Sequence, residues 1–181
     1  PHHRSSAASD VYKRQLSGFQ QAHGNEAKAE ALLLAALEKN PGASASRVNL
    51  ADLYRAQGKE GAARSTLEAG IQLSERDASL WFSLALLEVR EGNGTQALRA
   101  LQKAAMLEDT PGYYHYVYAV AQHDQGRPEE ALATLRATHR VAPGQPNILA
   151  ALVQYSPLAG DMDSARRYQT ELRSTLRDAG L

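Results

Sequence analysis

Glycine recurs at Gly24, Gly58, Gly92, Gly126 and Gly160, a spacing of 34 residues each time. Alanine recurs at Ala29, Ala63, Ala97, Ala131 and Ala165 with the same period, five residues behind each glycine. Two residue types in register over five periods is far from chance, roughly one in a few billion before phases and periods are searched. A chain built this way is an array of one supersecondary unit. No unit buries enough apolar surface alone, so neighbours must stack into one continuous core.

The residues between these markers define the unit. Val48, Leu50, Leu53 and Tyr54 form an apolar helical stripe. A glycine closing that helix permits a left-handed C-terminal turn. The next helix starts two or three residues later, and Pro128 suits a first turn. So short a connection makes the two helices antiparallel. Small residues at Ala51, Ala85 and Ala119 face Ala63, Ala97 and Ala131, letting the paired helices approach closely. Pro41 and Pro143 stop the second helix and turn the chain into the next unit. The expected helices are 16–23, 26–39, 44–57, 60–74, 78–91, 94–108, 112–125, 128–141, 146–159 and 162–178. Pro157 should end or kink its helix near Tyr155, because it removes a backbone donor and crowds the preceding turn. The C-terminal helix carries Arg166, Arg167, Glu171, Arg173 and Arg177 and can solvate the end of the array itself.

This pattern resembles the tetratricopeptide repeat (TPR), a helix-turn-helix unit of the same length. The repeats fall at 16–43, 44–77, 78–111, 112–145 and 146–179. Repeat three carries the resemblance in Trp81, Leu84, Ala85, Gly92, Ala97, Leu101 and Ala104, departing at Glu88 and Asp109. Repeat two supplies Leu50, Ala51, Tyr54, Gly58, Ala63, Leu67 and Gly70; repeat four supplies Tyr118, Ala119, Gly126, Ala131, Leu135 and Pro143. Repeat five diverges most, keeping Leu152, Gly160 and Ala165. The resemblance implies an all-α fold, a right-handed TPR superhelix (α-solenoid) of about five antiparallel helix pairs spanning 16–181.

Residues 1–15 stand apart. The stretch 5–15, SSAASDVYKRQ, reads as the in-frame translation of a transposase-type DNA-library adapter. The expectation is a non-native tail, with the native start missing, and it is set aside from fold reasoning. Cytoplasmic and periplasmic settings are then equally compatible with the chain.

Composition narrows the chemistry. The chain has no cysteine, which excludes disulfides, thiolate metal sites, cysteine nucleophiles and covalent haem attachment within it. Twenty basic residues balance twenty acidic ones, and they alternate instead of forming a stripe, which argues against nucleic acid as partner. Apolar runs such as 31–37 are too short for membrane insertion. No phosphate-binding glycine loop, nucleophile elbow or zinc-protease signature occurs. His115 and His123 lie eight residues apart on one helix and point about 80° apart, a poor metal pair. Glu129–Glu130 and Glu108–Asp109 read as solvated charges near helix ends. The sequence therefore calls for no enzyme, catalytic residue, metal or cofactor.

The cluster Tyr113, Tyr114, His115, Tyr116, Val117, Tyr118 is the informative feature. In the resembling family the second, fifth, ninth, twelfth and thirteenth residues of each first helix line a concave groove that receives a peptide. That mapping implies groove residues Val48, Asp52 and Arg55 in repeat two, and Phe82, Leu86, Val89 and Arg90 in repeat three. It adds Tyr113, Tyr116, Val120 and His123 in repeat four, and Asn147, Ala150 and Gln154 in repeat five. It assigns Tyr114 and Tyr118 to the core and Arg55, Arg90 and Asn147 to the rim as polar anchors. The resemblance thus implies a non-enzymatic scaffold holding a protein or peptide segment, here apolar or aromatic. The alternative is that the aromatics only pack between repeats. A different reading makes the array the C-terminal helper domain of a larger bacterial enzyme or multihaem cytochrome-like protein, because its last two repeats look similar to arrays ending some of those proteins.

Overall fold

The computed structural model describes residues 26–107 and 110–180. The adapter-like tail, the helix expected at 16–23, Gly24 and the pair Glu108–Asp109 lie outside the described residues. Nine α-helices occur among the described residues: α1 Glu26–Lys39, α2 Ser44–Ala56, α3 Glu60–Leu73, α4 Ala78–Arg90, α5 Gly94–Met106, α6 Gly112–Asp124, α7 Pro128–Val141, α8 Pro146–Tyr155 and α9 Met162–Asp178. The expected boundaries agree to within two residues except at α8. There Pro157 acts as anticipated: the α-helix ends at Tyr155 and a short 3-10 turn, Pro157–Ala159, follows.

One backbone device repeats at four of the turns and explains the sequence period. Gly58, Gly92, Gly126 and Gly160 adopt φ between 71° and 78°. Nothing lies within 4 Å of a Cβ built on any of them, so the demand is for the left-handed conformation, not for space. The residue after each glycine donates its N–H five residues back: Lys59 to Tyr54 O, Asn93 to Glu88 O, Arg127 to Gln122 O and Asp161 to Ser156 O, at 2.8–2.9 Å. The glycine N–H closes the inner bond, to Arg55, Val89, His123 and Pro157. This is the Schellman arrangement, and it satisfies carbonyls that the ending helix leaves open. The post-glycine residue then accepts the first bond of the next helix, from the N–H of Ala63, Ala97, Ala131 or Ala165. The five-residue offset from glycine to alanine is thus the length of the turn plus the first hydrogen-bonded ring.

Those alanines, and the small residues expected opposite them, are buried. Ala63 and Ala131 are fully buried, Ala97 is 2% exposed, and Ala51, Ala85 and Ala119 are fully buried. A larger side chain at these points would push the helices apart.

The chain divides into two compact units, Pro1–Ser83 and Leu84–Leu181, with the boundary inside α4. In the first unit α2 pairs with α3 and touches α1. Its core is built from Ala29, Leu50, Ala51, Leu53, Ala63, Leu67 and Leu80. Gly70 sits in that core, where an added Cβ would come within 2.7 Å of Arg47 Cδ and 2.9 Å of Leu80 Cδ2. In the second unit α5 packs on α6, α6 pairs with α7, α7 packs on α8 and α8 pairs with α9; α6 also touches α8. Ala119, Ala131, Leu132, Leu135, Ile148, Ala151, Leu152 and Tyr155 form its main apolar cluster.

Candidate functional site

In the first unit Asp52 is half-buried and accepts a hydrogen bond from Arg55 Nη2. Arg55 is only 3% exposed, which corrects the expectation of a rim anchor. The pair neutralises itself inside the helix face instead of presenting a free charge. Val48 and Phe82 are half-buried.

In the second unit Leu86 is half-buried, while Val89 is 55% exposed and Arg90 is exposed. Tyr113 is 43% exposed, and its ring lies 6.2 Å from that of Tyr116 at an interplanar angle of 34°. Tyr116 is partly buried and packs against the main apolar cluster. Burial first, then the neighbouring Tyr116, raises the Tyr113 hydroxyl pKa, so the ring stays neutral. One helical turn beyond half-buried Val120, His123 stacks flat on Tyr155 of α8, with centroids 4.4 Å apart and planes 8° apart. Asn147 is half-buried, and Ala150 and Gln154 are exposed on α8.

Tyr155 was not among the expected site residues. Its ring is 7% exposed and joins the core, yet its face carries His123. No sequence signal marks it, because its place in the repeat is one that the family pattern gives to the core. The expected residues of α6 and the Tyr116 contact with the α8 side of the cluster thus come together in one seam. Tyr116 and His123 pack against neighbouring elements, whereas Tyr113 is exposed.

The opposite face of α6 departs from expectation. Tyr118, assigned to the core, is half-buried and lines a cleft of about 440 Å³ between α5, α6 and α7; Tyr114 is half-buried as well. His115 opens on the same cleft, with Nε2 3.1 Å from Thr110 Oγ1. Burial lowers the His115 pKa from its usual value of 6.5. His115 and His123 therefore face different elements. His139 is elsewhere again, edge-on to Tyr168 at 5.5 Å and 3.3 Å from Glu171. Among the described residues no three His, Cys, Asp or Glu side chains are grouped to hold a metal ion.

A tetratricopeptide-repeat profile matches residues 20–78 and 48–114, and a second matches 112–137. The chain belongs to the tetratricopeptide repeat family. Solved TPR structures agree in fold. The crystal structure of MamA superposes with a TM-score of 0.71 at 17% identity, covering 89% of this chain and 94% of that one. PilF of Pseudomonas aeruginosa gives 0.69 at 18%, covering 92% and 75%. YrrB, described as a TPR protein with an unusual peptide-binding site, gives 0.63 at 15%, covering 96% and 94%. A search of curated protein sequences returns no match. The fold is therefore an all-α TPR solenoid and the protein an interaction scaffold of the TPR kind. No helix among the described residues is long and apolar enough to cross a membrane.

Proposed function

We propose that this TPR array is a non-enzymatic scaffold whose first-helix face holds an apolar or aromatic segment of a partner protein. The observation that carries the reading is the aromatic seam of α6 and α8. Tyr113 is open, and Tyr116 and His123 are braced from behind by the core and by Tyr155. Braced rings offer contact area at little entropic cost. The solved TPR protein YrrB, with its named peptide-binding site, supports the class of ligand.

The face lacks the lysine-and-asparagine pairs with which some TPR grooves hold a terminal carboxylate. The corresponding residues are Val48 and Asp52, Phe82 and Leu86, Tyr116 and Val120, and Ala150 and Gln154. With Arg55 folded onto Asp52, the remaining candidates for polar contacts are Arg90, His123 and Asn147. Burying one partner side chain on the tyrosines contributes roughly 1.5–3 kcal/mol. Several such contacts, offset by ordering the segment, give affinities on the order of micromolar.

The test is a peptide array probed with wild type and with a Tyr113→Ala, Tyr116→Ala double variant. Enrichment of apolar and aromatic peptides, lost in the variant, supports the reading. Enrichment of acidic C-termini, or unchanged binding by the variant, rejects it.

A further inference from the structure

The second-helix side of the second unit carries a different surface, organised around α7. On one flank of α7, Thr134, Ala137, Thr138 and Val141 line the apolar cleft of about 440 Å³ shared with α5 and α6. On the other flank, Arg136, His139 and Arg140 line a second cleft, of about 570 Å³, shared with α9. At 100° per residue the two sets occupy opposite sides of the helix, and exposed Ala133 and Ala137 form the crest between them. Alanine keeps that crest low, so a chain crossing it can reach both clefts.

The second cleft is lined by charged side chains, some of them paired. Arg136 Nη2 lies 2.7 Å from Asp161 Oδ2, and His139 Nε2 lies 3.3 Å from Glu171 Oε2. Arg167 gives one N–H to Ser164 Oγ at 2.8 Å. Three guanidinium groups and a histidine thus face two carboxylates, and Arg140 makes no ion pair among the described residues. Ser164 further binds Asp161 through its backbone N–H, at 3.0 Å. The side-chain and backbone hydrogen bonds of Ser164, and then the Arg136 and Arg167 charges, hold the Asp161 carboxyl below its usual pKa. Arg140 is the surplus cation, and it stands across the cleft from Arg167 of α9, which already lies within electrostatic reach of Asp161.

We infer that this face is a second docking surface, for a protein segment that sets an apolar side chain in one cleft and a carboxylate side chain in the other. Charge complementarity selects the occupant: the basic cleft has room and unspent cation for one more carboxylate, and the neighbouring apolar cleft takes the side chain beside it. The partner is an acidic, apolar-anchored segment, distinct in chemistry and in place from the one proposed for the first-helix face.

The experiment is fluorescence anisotropy of the full chain with a labelled peptide containing one phenylalanine flanked by glutamates. Its glutamine counterpart and a single-stranded oligonucleotide of equal charge serve as the other probes. The glutamate peptide should bind at least about tenfold more tightly than the glutamine peptide. An Arg140→Glu, Arg167→Glu variant should erase that preference, and both side chains are exposed, so circular dichroism should be unchanged. Ala137→Trp, which raises the crest, should weaken the glutamate peptide without touching a charge. Equal binding of the two peptides, tighter binding of the oligonucleotide, or wild-type behaviour of either variant overturns the inference.

Discussion

The two faces of the second unit are built from the same repeat and differ in what supports them. On the first-helix side the exposed chemistry is aromatic and stands on the core: Tyr116 touches the main cluster and His123 lies on Tyr155. On the second-helix side α7 presents alanine, threonine, histidine and arginine between two clefts. The repeat fixes the glycine turn at Gly58, Gly92, Gly126 and Gly160 and a buried alanine five residues after each, and leaves the outward residues of both helices free to vary. Recognition therefore resides in the residues that do not repeat.

The largest effect comes from removing what both faces share. Leu135 is fully buried in the main cluster, and Leu135→Ala should cost about 2–5 kcal/mol. Chemical denaturation should show it, with ligand binding at both faces falling together. If one face survives at full strength in a destabilised protein, the faces do not depend on one core. Ala97→Leu, at a buried position in repeat three, should cost about 1–3 kcal/mol by overpacking. A neutral result would mean that the helix pair is looser there than 2% exposure implies.

Next comes the turn. Gly126→Ala meets no atom but forces alanine to φ near 76°, which should cost about 1–2 kcal/mol. Comparison with a Gly61→Ala control sharpens it, since Gly61 sits in the first turn of α3 with open space around its Cβ.

A finer contrast lies within the aromatic pair. Tyr113→Ala should change the melting temperature little, whereas Tyr116→Ala should lower it, because only Tyr116 is packed on the cluster. Equal melting points for the two variants would remove the distinction between open and braced rings.

The smallest effect belongs to the other side of α6. His115 has a folded-state pKa lowered by burial. The unfolded chain therefore binds the proton more readily, and stability falls as pH drops below about 6.5 until the folded pKa is passed. A His115→Gln variant should lose that part of the pH dependence in thermal melts between pH 7.5 and 5.5. An identical profile in the variant would assign the dependence elsewhere.

The fold was largely legible because its period is set by the backbone. A left-handed turn selects glycine, and a close helix contact selects alanine, whatever the rest of the repeat does. Pro157 was legible for the same reason. Side-chain direction at the faces was not. Arg55 folds onto Asp52 because an adjacent carboxylate competes with solvent for it, and position in the repeat does not encode that. Tyr118 is left half-buried because the residues opposite it on α7, Thr134 and Thr138, are too small to cover it. Tyr155 and the basic cleft arise only when α8 and α9 stack on α6 and α7, and no local motif reports it.

Hydrogen exchange of the chain with and without a bound apolar or aromatic peptide selected from the array tests the central claim most directly. Protection confined to α6 and α8, across 113–123 and 147–155, is the predicted result. Protection confined to α7 and α9, with α6 and α8 exchanging as in the free protein, would contradict the assignment of the aromatic face.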